Sequence, residues 1–162
     1  MLDEIDRYIL QALQKNGRIK KSDLAREVGM SVPAVAERMK KMHDSGIILG
    51  YSAQVDPRLL GMDVGAIITL ISDQSTSYSE VIEHAQKHPE VLECMSVTGA
   101  GSHLLIVSTA NTTSLENLLR EVQSWPGVTR TETRLILSHY KRGGAVPVAP
   151  GALKPSLQAD ST

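Results

Sequence analysis

The residues best equipped to do chemistry in this chain are a set of cations near its N-terminus. Between positions 15 and 41 stand Lys15, Arg18, Lys20, Lys21, Arg26, Arg38, Lys40 and Lys41 against three acidic residues, a local charge of +5 on a chain of formal net charge −1. Such a concentration suits a polyanion; the bland alternative is a solvated helical face. Arg38 is the most informative of the set, because a guanidinium can bridge guanine O6 and N7 or hold a phosphate. Its competing role is an ion pair with Glu37 or Asp44. His84 and His88 have the i,i+4 spacing of helical metal ligands. Cys94 is the one cysteine, which excludes a disulfide framework and a multi-cysteine zinc site. It alternates within a predicted strand and reads as a core or interface residue. No Ser–His–Asp order, carboxylate pair or phosphate loop stands out. The expectation is therefore no enzyme activity, no metal and no cofactor.

The cations belong to what reads as three helices within residues 1–50. Leu2, Ile5, Ile9, Ala12 and Leu13 recur at helical spacing, and Asn16-Gly17 has the composition of a left-handed cap. Ser22 is placed to cap a second helix carrying Leu24, Ala25 and Val28. Ser31 is placed to cap a third, with Pro33 in its first turn, Val35, Met39 and Met42 on its inner face, and Gly46 closing it. Ala25, Gly29 and Val35 have the spacing of a helix–turn–helix: a small residue where the helices cross, a turn glycine, and a plug for the second helix. Together with the local charge, this points to double-stranded DNA.

Composition bounds the rest. With 162 residues, 41% hydrophobic and 22% charged, the chain has the size and make-up of one to two globular domains. It has no apolar run of about 18 residues and no signal-peptide core, so the expectation is a cytoplasmic protein without membrane contact. One tryptophan, four tyrosines and no phenylalanine argue against single-strand binding, which relies on stacking. Residues 1–50 hold nine Lys/Arg against seven Asp/Glu, while 51–162 hold eight against eleven, which separates a basic module from an acidic partner.

Beyond an extended stretch at 47–56 and a turn at Pro57–Gly61 lies an internal repeat of 37 residues. TSYSEVIEHAQKHPEV at 76–91 aligns without gaps on TSLENLLREVQSWPGV at 113–128, with Val81/Leu118, Ile82/Leu119 and Ala85/Val122 equivalent in character. Each unit reads as strand, helix, a turn through Pro, and strand. Two such units make the split βαβ arrangement. The predicted fold class is α+β, an N-terminal three-helix helix–turn–helix domain plus a C-terminal ferredoxin-like βαββαβ sandwich. The predicted domains are 1–50, DNA-binding; 51–61, a linking strand and turn; 62–140, effector-sensing and oligomerisation; and 141–162, a flexible tail.

LDEIDRYILQALQKNGR, then LAREVGMS, then VAERMKKMHDSGIILGYSAQVDPRLLG resembles the Lrp/AsnC (feast/famine) family of prokaryotic transcription regulators, and the βαββαβ region resembles that family's amino-acid-sensing module. The resemblance runs from residue 2 to about 140. It implies a homodimer that assembles further, as an octamer, with an amino acid modulating assembly or DNA binding. A DNA-packaging protein of the same fold without an effector, and a metabolic sensor or enzyme whose N-terminal helices make protein contacts, are the alternatives.

On this reading the start of the third helix approaches base edges through Ser31, Val32, Pro33 and Ala34, with Glu37, Arg38 and Lys41 one to two turns later. Lys20, Lys21, Lys40 and Lys41 read as phosphate contacts. The resemblance also implies an effector pocket at the turn between the middle strands, here Val97 and Gly99-Ala100-Gly101-Ser102-His103. Ala100, Gly101 and Ser102 replace acidic and aromatic residues that many relatives carry. The segment Val97–His103 holds no fixed charge, and Val97, Leu104 and Leu135 are apolar. Those features favour a leucine- or methionine-like amino acid, its carboxylate held by N–H groups around Gly99–Ser102.

Overall fold

Asp3 and Asp6 open the first helix, α1 (Glu4–Lys15). The Asp6 amide donates to Asp3 Oδ1 at 2.8 Å and the Asp3 amide to Asp6 Oδ2 at 3.2 Å, so each carboxylate satisfies an amide that the helix start leaves unpaired. In this computed structural model, which describes residues 2–72 and 78–148, α2 (Lys21–Glu27) and α3 (Val32–Asp44) follow. Ile9, Leu10 and Leu13 of α1 bury against Leu24, Ala25, Val35, Met42 and Ile48. Gly29 turns the chain between α2 and α3 at φ +68°, where a Cβ would be strained.

Two caps differ from expectation. Asn16 is extended rather than left-handed; its amide donates to the Ala12 carbonyl at 2.9 Å, and its Oδ1 accepts from the Arg18 amide at 3.0 Å in the turn that follows. Ser22 lies inside α2, which begins after Lys20 with no side-chain cap. Ser31 does cap α3, its Oγ accepting from the Ala34 amide at 3.3 Å.

The chain divides into two units, residues 1–54 with the segment from Lys141, and residues 55–140. The expected linking strand at 51–56 has no regular structure and pairs with no strand among the described residues, and a single 3-10 turn follows at Pro57–Leu60. Residues 141–148 have no regular structure, and two of them meet the helical unit. Gln14 Nε2 donates to the Val146 carbonyl at 3.1 Å, the Val146 amide donates to Gln14 Oε1 at 2.6 Å, and Val148 packs on the helical core. One amide side chain thus satisfies both backbone groups of Val146. Residues 149–162 lie outside the described residues.

The second unit runs β1 (Val64–Ser72), α4 (Tyr78–Lys87), β2 (Val91–Ser96), β3 (His103–Thr109), α5 (Thr112–Ser124) and β4 (Val128–Leu135). The sheet order is β2-β3-β1-β4 with every neighbouring pair antiparallel, the ferredoxin-like arrangement. The 37-residue offset carries Val91 at the start of β2 onto Val128 at the start of β4, while Thr76 and Ser77 of the repeat lie outside the described residues. Alternation along the strands sends Ala66, Ile68, Leu70, Leu105 and Val107 to one face, where Val81, Ala85, Leu118, Val122 and Trp125 cover them.

The two histidines flagged by spacing are engaged by packing. His84 stacks on Trp125, ring centroids 5.5 Å apart, and His88 Nε2 lies 3.3 Å from Glu121 Oε2. The repeat makes His84 equivalent to Glu121 and His88 to Trp125. Each contact therefore crosses between units, as an internal two-fold requires. Cys94 packs at the edge of the helix-covered core, and burial raises its thiol above the ordinary value, which makes it a poor nucleophile.

Candidate DNA-binding and effector sites

The start of α3 is presented as a reader of base edges needs to be. Ser31, Val32 and Pro33 are exposed, Ala34 is half-buried, and Glu37 is exposed further along. Val32 is 43% exposed, unusual for a valine beside a packed core. The Ser31 oxygen accepts one hydrogen bond in the cap, and its O–H and second lone pair can still serve an outside partner.

Arg38 is placed differently from expectation. Its Nη1 lies 2.6 Å from Asp3 Oδ2 and 2.8 Å from Asp6 Oδ1, with 27% of the side chain exposed. The partners are the capping residues of α1, not Glu37 or Asp44. The guanidinium ties α3 to the start of α1, so a base or phosphate must compete with two carboxylates for it. The signal was present as Asp-x-x-Asp at the start of the chain, but sequence alone does not bring position 38 beside it. The Asp6 amide, with the Arg38 side chain second, holds the Asp3 carboxyl below the ordinary carboxylate range. This cap is therefore complete above that range and lost as pH falls through the lowered value. Arg38→Ala is expected to cost about 1–2 kcal/mol, after discounting for the solvent that reaches the pair. It should weaken all DNA sites alike. A selective loss of base preference at one position, with unchanged thermal stability, would restore the base-contact role.

The remaining cations divide into two groups. Lys40 Nζ is 2.5 Å from Asp44 Oδ2, and Lys41 Nζ is 3.8 Å from Glu37 Oε1, so a phosphate must compete with a neighbouring acid for either lysine. Lys20 and Lys21 are exposed and have no such partner among the described residues.

The β2–β3 turn is more tightly built than its composition suggests. The Ser102 amide donates to the Leu70 carbonyl at 2.9 Å and the Val97 amide to the Ser102 carbonyl at 3.2 Å, so neither is available to a ligand carboxylate. Gly101 lies against β1, whereas Gly99, at φ +115°, and Ala100 are exposed. Ser102 Oγ is 2.9 Å from Ser72 Oγ and 3.0 Å from His103 Nδ1, which joins the turn to the end of β1. Leu135 is not nearby as expected. It pairs with Ala66, while the turn abuts Leu70, four residues along β1. Leu104 points to the sheet face away from the helices, opposite Thr69 and Met95.

His103 separates from the rest of its segment. It is 1% exposed and lines a cleft of about 300 Å³ between α4 and β2, with Gln86, Glu93, Cys94 and Ser96 among the other lining residues. Its alternation with Leu105 and Val107 was the available sign that it faces inward. Burial lowers the His103 imidazole below its ordinary value. The folded state then binds fewer protons than the unfolded one, so this stability is complete above the unfolded value of about 6.5 and is lost as pH falls through the lowered value. His103→Leu is expected to flatten the fall in thermal midpoint between pH 8 and pH 5; an unaltered slope would remove His103 as its source.

Comparison with known proteins agrees with both units. Residues 2–48 match the winged helix-turn-helix DNA-binding model, and residues 65–146 match the Lrp/AsnC ligand binding domain. The chain is 33% identical over 147 residues to the HTH-type transcriptional regulator FL11 of Pyrococcus horikoshii, covering 91% of this chain and 97% of that one. It is 32% identical over 139 residues to the regulator LrpA of Mycobacterium tuberculosis, covering 86% and 92%. Among solved structures, a Neisseria meningitidis transcriptional regulator in complex with L-methionine superposes with a TM-score of 0.83 at 28% identity, covering 91% of this chain and 97% of that chain. No helix among the described residues is long and apolar enough to cross a membrane. The helix–turn–helix, the ferredoxin-like sheet domain and these matches lead to one conclusion: the chain belongs to the Lrp/AsnC family of transcriptional regulators.

Proposed function

We propose that this chain is a sequence-specific regulator of double-stranded DNA, acting in the cytoplasm as a homodimer that assembles further, and that an aliphatic amino acid modulates its assembly or DNA binding. The observation that carries the reading is the exposed start of α3, Ser31 to Ala34, held on a packed helix–turn–helix and joined to a ligand-binding domain. Those residues and Glu37 face the bases, and Lys20 and Lys21 hold phosphates.

The sheet supports the dimer. Its helix-free face carries Ile67, Ile71, Leu104 and Ile106, and Leu59, Leu60, Leu137 and Tyr140 also stand exposed in this unit. A second copy related by a two-fold covers such a face with its own equivalent. The effector lies at the β2–β3 turn, beside Val97, with the amides of Gly99, Ala100 and Gly101 as carboxylate donors. Methionine or leucine suits a segment without fixed charge, and the methionine complexes of two similar regulators favour the same class.

Footprinting on genomic DNA with and without a panel of twenty amino acids tests this reading. Discrete protected sites that change with an aliphatic amino acid are expected. Protection without sequence preference would indicate a packaging protein, and a response confined to lysine, arginine, aspartate or glutamate would overturn the effector class.

A further inference from the structure

We infer that the connection between α1 and α2 is the phosphate grip of the DNA-binding unit, with Lys15 and Arg18 as positioning residues alongside Lys20 and Lys21. The inference rests on the DNA-binding reading above. Lys15, Arg18, Lys20 and Lys21 are all exposed, and no carboxylate among the described residues lies within ion-pair distance of any of them. Further along α2 and on α3 each lysine or arginine stands beside a carboxylate: Arg26 by Asp23 at 3.0 Å, Arg38 by Asp3 and Asp6, Lys40 by Asp44, and Lys41 by Glu37. The cations without a carboxylate partner therefore lie in the run from Lys15 to Lys21 and not on α3. A phosphate reaching this connection displaces no internal partner.

The connection is also rigid. The Asn16 amide donates to the Ala12 carbonyl at 2.9 Å, Asn16 Oδ1 accepts from the Arg18 amide at 3.0 Å, and the Asn16 carbonyl accepts from the Ile19 amide at 3.1 Å. Ile19 packs into the helical core, and Gln14, just before Lys15, is held by Val146. Four cations on a fixed backbone lose less conformational freedom on binding than four on a loose loop. This division leaves base reading to α3 and register on the duplex to the connection.

The test is the salt dependence of affinity for a footprinted site and for an unrelated duplex, measured on the full chain. Lys15→Gln and Arg18→Gln are each expected to reduce the log–log salt slope by about 0.9, equally on both duplexes. Arg18→Lys should keep the slope, and the charge-neutral pair Arg26→Gln with Asp23→Asn should leave it unchanged. The thermal midpoint of each variant reports folding separately. Unchanged slopes in both Lys15→Gln and Arg18→Gln, with steep wild-type dependence, would overturn the inference while leaving the functional reading intact. An equal fall in the Arg26/Asp23 variant would overturn it too, by showing that any change on this face suffices. A wild-type chain that binds no duplex would overturn the functional reading, and this inference with it.

Discussion

Gly101→Ala is expected to destabilise the sheet unit by about 3 kcal/mol, the upper end of the usual cost of overpacking. An ideal Cβ at this position would lie 2.3 Å from Thr69 Cγ2 and 2.9 Å from the Leu70 carbonyl oxygen. The first neighbour is a methyl that can be removed; the second is a β1 carbonyl that already accepts the Ser102 amide. Thr69→Ser in the same chain should recover part of the loss, with a coupling of at least about 0.5 kcal/mol because the two positions share the clash. Denaturant midpoints of the four chains give the answer, and a Gly101→Ala chain as stable as wild type would contradict the packing. The same geometry governs how effector variants are read. A larger side chain at Gly101 distorts the turn before it can exclude a ligand, so exposed Ala100 is the position for probing the proposed effector site.

Ile106→Arg is expected to dissociate the proposed dimer and to lower DNA affinity by at least about a hundredfold, the scale on which two linked sites outbind one. Ile106 and Ile67 face each other across β3 and β1 on the helix-free side, so an arginine there puts a charge at the centre of the contact. A dimer presents two copies of α3 about 34 Å apart or a multiple of that, and a monomer can occupy only one half-site. Sedimentation velocity at micromolar concentration decides the first part, and titration of a two-half-site duplex the second. A wild-type monomer, or a variant that sediments as wild type, would remove the helix-free face from the interface.

Much of this architecture was legible in the amino acids because the physics involved is local or periodic. Ser31 and Pro33 start α3, Gly29 and Gly46 take the left-handed conformations that other residues resist, and the 37-residue repeat specifies both halves of the sheet domain. The two-residue period of a strand puts Ile68 and Leu70 on one face of β1 and Ile67 and Ile71 on the other, although the run is apolar on both. What the sequence could not assign were choices among partners. Glu37 and Asp44 were near Arg38 in sequence, but helix packing brought Asp3 and Asp6 to it instead. Nothing in the composition of residues 141–148 says what they meet, and one glutamine on α1 supplies both hydrogen bonds that Val146 needs. Gly101 looked like a turn glycine chosen for its freedom, and the structure shows it is needed for space against β1. Patterns along a chain determine which face each residue belongs to. Only the packing of distant segments decides which of several compatible groups a charge or an amide meets, because those contacts depend on distances that spacing in sequence does not encode.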